Sequence, residues 1–92
     1  MIKIKVQYIP MFSLWFKKKE ENLELENGSI LEFANKIGGK YGDKYINLII
    51  DEEKKEINRS LFLMINGKEM RNFDLKLKDK DVLVIGQIVS GG

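Results

Sequence analysis

Residues 29–37 carry the strongest helix pattern in this 92-residue chain, and it limits how the other segments can be arranged. Four apolar residues recur at helical spacing and form one stripe that must be buried: Ile30, Phe33, Ala34 and Ile37. Ser29 and Glu32 have capping-box spacing, in which the serine hydroxyl accepts from the Glu32 N–H and the glutamate reaches back to the Ser29 N–H. Gly38-Gly39 is expected to end the helix.

The residues before this helix alternate as half-buried strands do. Ile2 to Tyr8 has a period of two, and Pro10, which has no N–H to donate to a ladder, should end that strand. Leu23 and Leu25 alternate with glutamates and predict a second strand. Residues 11–16 are apolar without clean periodicity, so they form either a short helical turn packed at one end of the sheet or an exposed loop.

The residues after the helix indicate short strands separated by turns. Residues 45–50 suit a short strand or an extended segment, and residues 51–55 a charged turn. Leu61 to Ile65 is apolar at every position, which predicts a strand covered on both faces. Asn66-Gly67 predicts a tight turn with positive φ at both residues, and Val82 to Ile85 predicts a last apolar strand.

The order of these elements predicts an α+β fold of the β-grasp (ubiquitin-like) type. We expect a mixed sheet of four to five strands with one main helix packed across it. Residues 1–92 should form a single domain, with residues 88–92 as an extended flexible C-terminal tail. The terminal Gly91-Gly92 lacks side chains and could enter a narrow cleft of another protein.

Missing residue types exclude most forms of independent catalysis. The chain has no Cys and no His, so it has no thiol nucleophile, no thiolate metal site and no histidine general base near neutral pH. We expect neither a metal site nor a catalyst that acts alone.

Charge and hydropathy limit the partners and the location. A net charge of +2 is too small to indicate nucleic acid or a membrane surface as a partner. The basic run Lys17-Lys18-Lys19 is either a solvated loop or a docking patch. The start alternates instead of forming a signal sequence, and the apolar stretch Ile9 to Phe16 is too short to span a bilayer, so the cytoplasm is the expected location.

Motifs spread over most of the chain resemble the MoaD/ThiS family of ubiquitin-like sulfur carriers, and most closely the small subunit of molybdopterin synthase. They are the Asn66-Gly67 hairpin after an apolar strand, the polar turn Leu77 to Asp81, and the terminal Val89-Ser90-Gly91-Gly92. The turn carries Lys80 where the family usually has glycine, and no proline precedes the tail.

The resemblance implies a sulfur carrier whose reactive group is the C-terminal carboxylate of Gly92. A ubiquitin-activating-like adenylyltransferase would adenylate it with its own ATP and magnesium, and sulfur would then replace AMP to leave a thiocarboxylate. The sulfur acceptor would be a molybdopterin synthase large subunit or a similar protein, in molybdopterin (molybdenum or tungsten cofactor) biosynthesis. Partners would recognise the tail through Gly91, Ser90, Val89 and Ile88.

A second contact with the partners is expected on the sheet. Phe62, Met64 and Val84 are candidates for an exposed apolar patch, and the alternative is that they are buried under Trp15 and Phe16. Other functions stay open at this point. They are a ubiquitin-like modifier joined to a target lysine through its C-terminus, a carrier for another pathway such as thiamin, and a binding domain whose terminal glycines only fray.

Overall fold

The computed structural model describes residues 1–88. The strands are Ile2–Tyr8 (β1), Glu20–Leu25 (β2), Ile50–Asp51 (β3), Glu56–Ile57 (β4), Leu61–Ile65 (β5), Lys68–Glu69 (β6) and Val82–Gln87 (β7). The helices are Phe12–Phe16 (α1), Ile30–Tyr41 (α2) and Lys44–Ile49 (α3). None of these helices is long and apolar enough to cross a membrane.

Five of the strands form one mixed sheet in the order β2-β1-β7-β5-β6. The central pair β1 and β7 is parallel, and the other neighbours are antiparallel. The strands β3 and β4 form a separate hairpin around the predicted charged turn. The predicted β-grasp fold is confirmed, because α2 follows the edge strand β2 and its apolar face shares a single core with the sheet.

The central helix α2 buries the predicted stripe but runs further than predicted. All four stripe residues have no exposed surface. The helix continues through Gly38-Gly39 and reaches Tyr41 before Gly42, with φ of 132°, caps it. A Cβ on Gly38 would lie 2.5 Å from Cγ1 of Ile46, so this glycine allows α3 to approach closely and does not end the helix.

The start of α2 confirms one half of the predicted capping box and corrects the other. The Ser29 hydroxyl accepts from the Glu32 N–H at 3.0 Å, as predicted. The Glu32 carboxylate does not reach the Ser29 N–H, which donates to Asn27 Oδ1 instead. It accepts from the backbone N–H groups of Glu26, Asn27 and Gly28, because the positive φ of Gly28 folds the preceding chain around it.

Residues 44–49 form the helix α3, so the predicted strand or extended segment over residues 45–50 is wrong. Tyr45 and Ile49 are four residues apart and both are buried. Their burial on one helical face outweighs the strand propensity of a short apolar segment, since propensity is weaker than tertiary packing. Only Ile50 and Asp51 at the end of the segment are extended.

The strands β5 and β7 are fully covered on one face only. Alternate residues are buried on the helix side, while Phe62, Met64 and Val84 on the opposite face are half-buried. The prediction that Leu61 to Ile65 is covered on both faces is therefore wrong. An apolar run of five residues does not distinguish a covered outer face from one that remains accessible.

Both predicted turns adopt the expected backbone. Asn66 and Gly67 have φ of 52° and 85°, which confirms the tight turn between β5 and β6. Lys80 has φ of 74°, so the lysine occupies a left-handed conformation that glycine would favour. The Asp81 carboxylate supports this turn by accepting from the Lys78 N–H at 2.8 Å.

A carboxylate surrounded by donors joins β1, β2 and the end of α2. The Glu21 side chain is 8% exposed and forms salt bridges to Lys18 and Lys40. It also accepts hydrogen bonds from the hydroxyls of Tyr8, at 2.5 Å, and Tyr41. Burial alone raises the pKa of Glu21, but the hydrogen bonds from Lys40, Tyr41 and Tyr8 outweigh it and lower the pKa from 4.5 to about 2.

Replacing Glu21 with glutamine should lower the free energy of unfolding by about 1–3 kcal/mol near neutral pH, the usual value of hydrogen bonds to a charged group. Because the folded pKa is depressed, the carboxylate stabilises the fold above pH 4.5, and this contribution disappears as the pH falls toward 2. The difference between wild type and Glu21→Gln should therefore shrink in acid. Urea unfolding of both proteins across this range measures it.

Glu20→Gln is the matched control, because Glu20 forms an exposed pair with Lys5 at 3.3 Å. Its effect should stay below about 1 kcal/mol at every pH. A Glu21→Gln effect that is the same in neutral and acidic solution would contradict the role given to the ionised carboxylate.

Candidate functional site

The candidate site is the end of the sheet at which β1 and β7 both finish. These strands are parallel, with Tyr8 opposite Ile85, so their C-terminal ends lie at the same end of the sheet. From this end β1 continues into α1, and β7 continues toward the predicted tail. The topology thus places α1 and the start of the predicted tail at the same end of the sheet.

The last described residue, Ile88, remains attached to the sheet. Its N–H donates to the Ser60 carbonyl at 2.7 Å, one residue pair beyond Leu61 and Gln87. The side chain of Ile88 is 45% exposed. Within the predicted tail 88–92, residue 88 is therefore anchored by its backbone, while Val89, Ser90, Gly91 and Gly92 lie outside the described residues.

Ile9 and Gly86 form a close contact that sequence reasoning missed. The Ile9 N–H donates to the Ile85 carbonyl at 3.0 Å, which extends the parallel ladder by one residue. The Ile9 side chain lies across Gly86, where an added Cβ would come within 2.4 Å of Ile9 Cγ1. A glycine inside an apolar strand was the available signal, since it often marks a close approach of another group.

Phe62, Met64 and Val84 are brought together on the outer face of the sheet. Met64 is paired directly with Val84, and Phe62 is paired with Gly86. All three side chains are half-buried and lie on the face opposite the core. Their spacing makes one apolar area that continues toward Ile9, and its proposed part in partner binding stays a prediction.

The alternative in which these side chains lie under Trp15 and Phe16 is wrong. Phe16 is buried and stacks on Tyr41, with ring centroids 3.9 Å apart and planes 9° apart. Trp15 packs toward Tyr45 at 5.8 Å between ring centroids. Both rings therefore pack against α2 and α3, on the side of the sheet that holds the core.

The segment of residues 11–16 combines the two possibilities that its sequence left open. It is a short helix, α1, whose Phe12 and Phe16 are buried in the core. Its other side remains open, with Leu14 69% and Trp15 38% exposed. The segment is thus packed at one end of the sheet and also presents apolar side chains to the outside.

Within residues 1–88 the site consists of the paired ends of β1 and β7 and of exposed apolar side chains beside them. No group of three or more acidic residues gathers there to hold a metal ion, in the part of the chain that the structure describes. The side chains with shifted pKa values around Glu21 are engaged with one another as structural contacts. The reactive group predicted from the sequence, the carboxylate of Gly92, lies beyond the described residues.

No protein-family model matches the sequence, and a search of curated proteins found no match. Several solved structures do match. The small archaeal modifier protein 1 from Methanosarcina acetivorans superposes with a TM-score of 0.76 and 26% identity, over 100% of this chain and 98% of that one. A putative molybdopterin converting factor subunit 1 from Pyrococcus furiosus has a TM-score of 0.72 and 24% identity, over 97% of this chain and 100% of that one.

A third match comes from an assembly. The complex of subunits 1 and 2 of the molybdopterin-converting factor from Helicobacter pylori contains a chain with a TM-score of 0.63 and 16% identity, over 99% of this chain and 100% of that one. These matches extend over nearly the full length of both chains, and they confirm the resemblance found in the sequence motifs. The neighbours of this structure are therefore MoaD/ThiS-like proteins, and the chain shares their ubiquitin-like β-grasp fold.

Proposed function

We propose that the chain is a ubiquitin-like sulfur carrier that is charged at the carboxylate of Gly92. The observation that carries this proposal is the position of the tail: the central strand β7 is followed by the anchored residue Ile88, and the sequence then ends in Val89-Ser90-Gly91-Gly92. The hydrogen bond from Ile88 to Ser60 fixes where the final four residues begin. The two glycines have no Cβ to obstruct a channel, and their backbone groups can pair with a partner as an added strand does.

The chemistry must begin with activation of the carboxylate. A C-terminal carboxyl has a reference pKa of about 3.5, so at neutral pH it is an anion and a poor electrophile. Attack of this carboxylate on ATP, with loss of pyrophosphate, makes an acyl adenylate. A donor persulfide displaces AMP, and a thiol then reduces the new disulfide to release the thiocarboxylate. The chain has no Cys and no His. We therefore assign the binding of ATP and magnesium, and the donor persulfide, to the partner enzymes.

The pathway that we propose is molybdopterin biosynthesis in the cytoplasm. The support comes from the Pyrococcus furiosus protein, described as a putative molybdopterin converting factor subunit, and from the Helicobacter pylori protein, which is found with a second subunit. By analogy, a large-subunit-like acceptor would bind the outer face formed by Phe62, Met64 and Val84 and take the tail into its active site.

The second candidate function is a protein modifier. It is favoured by the match to the small archaeal modifier protein 1, which has the higher sequence identity of the two archaeal proteins compared above. In this case the Gly92 acyl adenylate would be used to form an isopeptide bond with a target lysine. Both functions need the same adenylating enzyme, and sulfur transfer to another pathway such as thiamin would need it too.

Intact mass of the chain, isolated from its native cell, tests these possibilities. A sulfur carrier should show a fraction in which one oxygen of Gly92 is replaced by sulfur. Lysine peptides branched with the C-terminal residues would support the modifier instead. If neither product is found, and the carboxylate is also unreactive toward the adenylating enzyme and ATP, the proposed function is wrong.

Deletion of the gene then separates the pathways. Loss of molybdopterin with normal thiamin would support the pathway that we propose. Loss of thiamin with normal molybdopterin would overturn that pathway while leaving the carrier chemistry in place.

A further inference from the structure

Exposed apolar side chains are unevenly distributed over residues 1–88. Six large apolar side chains are exposed there, and four of them belong to the segments that follow β1 and β7. These four are Ile9, Leu14, Trp15 and Ile88. They therefore gather at the end of the sheet from which the predicted tail leaves, because β1 and β7 are parallel neighbours.

The side chains of α1 are held in place by the core beneath them. Phe12 has no exposed surface, and its ring lies 5.4 Å from the Trp15 ring. Trp15 also packs toward Tyr45. Leu14 lies between Phe12 and Trp15 in α1, and its exposed side chain points away from the packed rings. A binding group that is already ordered loses less conformational entropy when a partner binds.

A shallow hollow lies beside Trp15. It has a volume of about 360 Å³ and is lined by Trp15, Lys44, Tyr45 and Leu48. Three of its lining side chains offer apolar surface, and Lys44 lies over the Tyr45 ring at 5.3 Å. The hollow can therefore receive one apolar side chain from another protein, with a positive charge at its border.

Exposed lysines border α1 and the start of α3. Lys17 and Lys19 follow the helix and are exposed, and Lys44 lies at the start of α3. Within the described residues none of these three forms a salt bridge, whereas the nearby Glu20 and Glu21 are each paired with lysines. The apolar surface thus has a basic border whose charge is not neutralised by these neighbouring carboxylates.

We infer that Leu14, Trp15 and the adjacent hollow, bordered by Lys17, Lys19 and Lys44, are a docking surface for the enzyme that adenylates the C-terminus. The inference rests on the proposed function. The surface fits a protein that presents an apolar side chain beside carboxylates, because Lys17, Lys19 and Lys44 lie at its border without a salt bridge within the described residues. An enzyme that takes in residues 89–92 must approach this end of the sheet, where α1 follows the strand beside β7.

This surface would act at a distance from the chemistry. Contacts to Leu14 hold the carrier on the enzyme but touch neither the carboxylate nor ATP. Such contacts contribute equally to the bound substrate and to the transition state, so their loss raises KM and leaves kcat unchanged. This division separates a docking surface from a residue that takes part in the reaction.

The test is ATP–pyrophosphate exchange by the purified adenylating enzyme of the source organism, with this chain as the varied substrate. Leu14→Asp should raise KM about tenfold or more, as expected when a central contact of an interface is replaced by a charge, and kcat should be unchanged. Lys17→Glu combined with Lys19→Glu should raise KM at low salt and reduce its dependence on salt.

Leu31→Asp is the matched control, because Leu31 is an exposed leucine at 37% on α2, away from the tail end of the sheet. It should leave KM unchanged. Leu14 is 69% exposed, so Leu14→Asp should melt at nearly the same temperature as wild type, which excludes unfolding as the cause of its KM.

The outcomes distinguish a failure of the docking surface from a failure of the proposed function. If wild type supports exchange and Leu14→Asp has the same KM, the docking surface is wrong and the proposed function stands. If wild type supports no exchange, the proposed function is wrong and the docking inference is overturned with it.

Two other occupants of the surface would each give a definite result. The surface would be assigned to a membrane if Leu14→Asp has an unchanged KM and if wild type sediments with phosphatidylglycerol vesicles whereas Leu14→Asp does not. The surface would be assigned to a second copy of the chain if KM is unchanged and if wild type is a dimer in analytical ultracentrifugation whereas Leu14→Asp is a monomer. Either result overturns the docking inference.

Discussion

Removal of Gly92 should reduce adenylation of the chain by about 100-fold or more. The deletion moves the terminal carboxylate back by one residue, about 3.5 Å along an extended backbone. A misplacement of about 1 Å in a reacting group can already lower a rate about 100-fold. ATP–pyrophosphate exchange measures this effect directly.

Ser90→Gly is the control for this deletion, since it changes the same tail but keeps its length. It should retain most of the activity, because Ser90 is expected only to be small enough to pass into the channel. The melting temperature should be unchanged in both variants, since pairing in the sheet extends to Ile88. Normal adenylation of the shortened chain would contradict the role given to Gly92.

Phe12→Ala should lower the free energy of unfolding by about 3–5 kcal/mol, the usual cost of removing a buried aromatic ring. Phe12 has no exposed surface, and its ring contacts those of Trp15 and Phe16 at centroid distances of 5.4 and 5.5 Å. Its loss would leave a cavity under α1 and loosen the neighbouring rings. Equilibrium urea unfolding provides the measurement.

The matched control is Leu14→Ala in the same helix. Leu14 is 69% exposed, so this substitution should change the free energy of unfolding by less than about 0.5 kcal/mol. Similar effects for the two variants would mean that α1 is a peripheral loop and does not belong to the core. A large effect of Phe12→Ala alone would establish the two-sided character of this helix.

Features encoded by neighbouring residues were predictable from the sequence. The alternation from Ile2 to Tyr8, the stripe of α2 and the turn at Asn66-Gly67 each depend on spacing or on backbone preference within a few residues. The order of these elements then predicted the β-grasp fold, which the structure and its neighbours confirm.

Features that depend on distant residues were missed or left open. Gly38 was interpreted as a helix end because glycine is common there, but its position is set by Ile46 on the next helix. The segment of residues 45–50 has strand-like composition, yet burial of Tyr45 and Ile49 makes it helical. Glu21 accepts hydrogen bonds from Tyr8 and Tyr41, which lie 13 and 20 positions away in the chain, so no local pattern indicates its role.

The sequence by itself determined the strand periodicity, the capped helix and the Gly-Gly end on which the proposed chemistry depends. Only the tertiary structure decided that α1 and the start of the tail share one end of the sheet, and that Phe62, Met64 and Val84 share its outer face. The physical reason is the range of the interactions. Turns, caps and periodicity act over a few residues, whereas a shared surface is created by strand pairing between segments that are far apart in the chain.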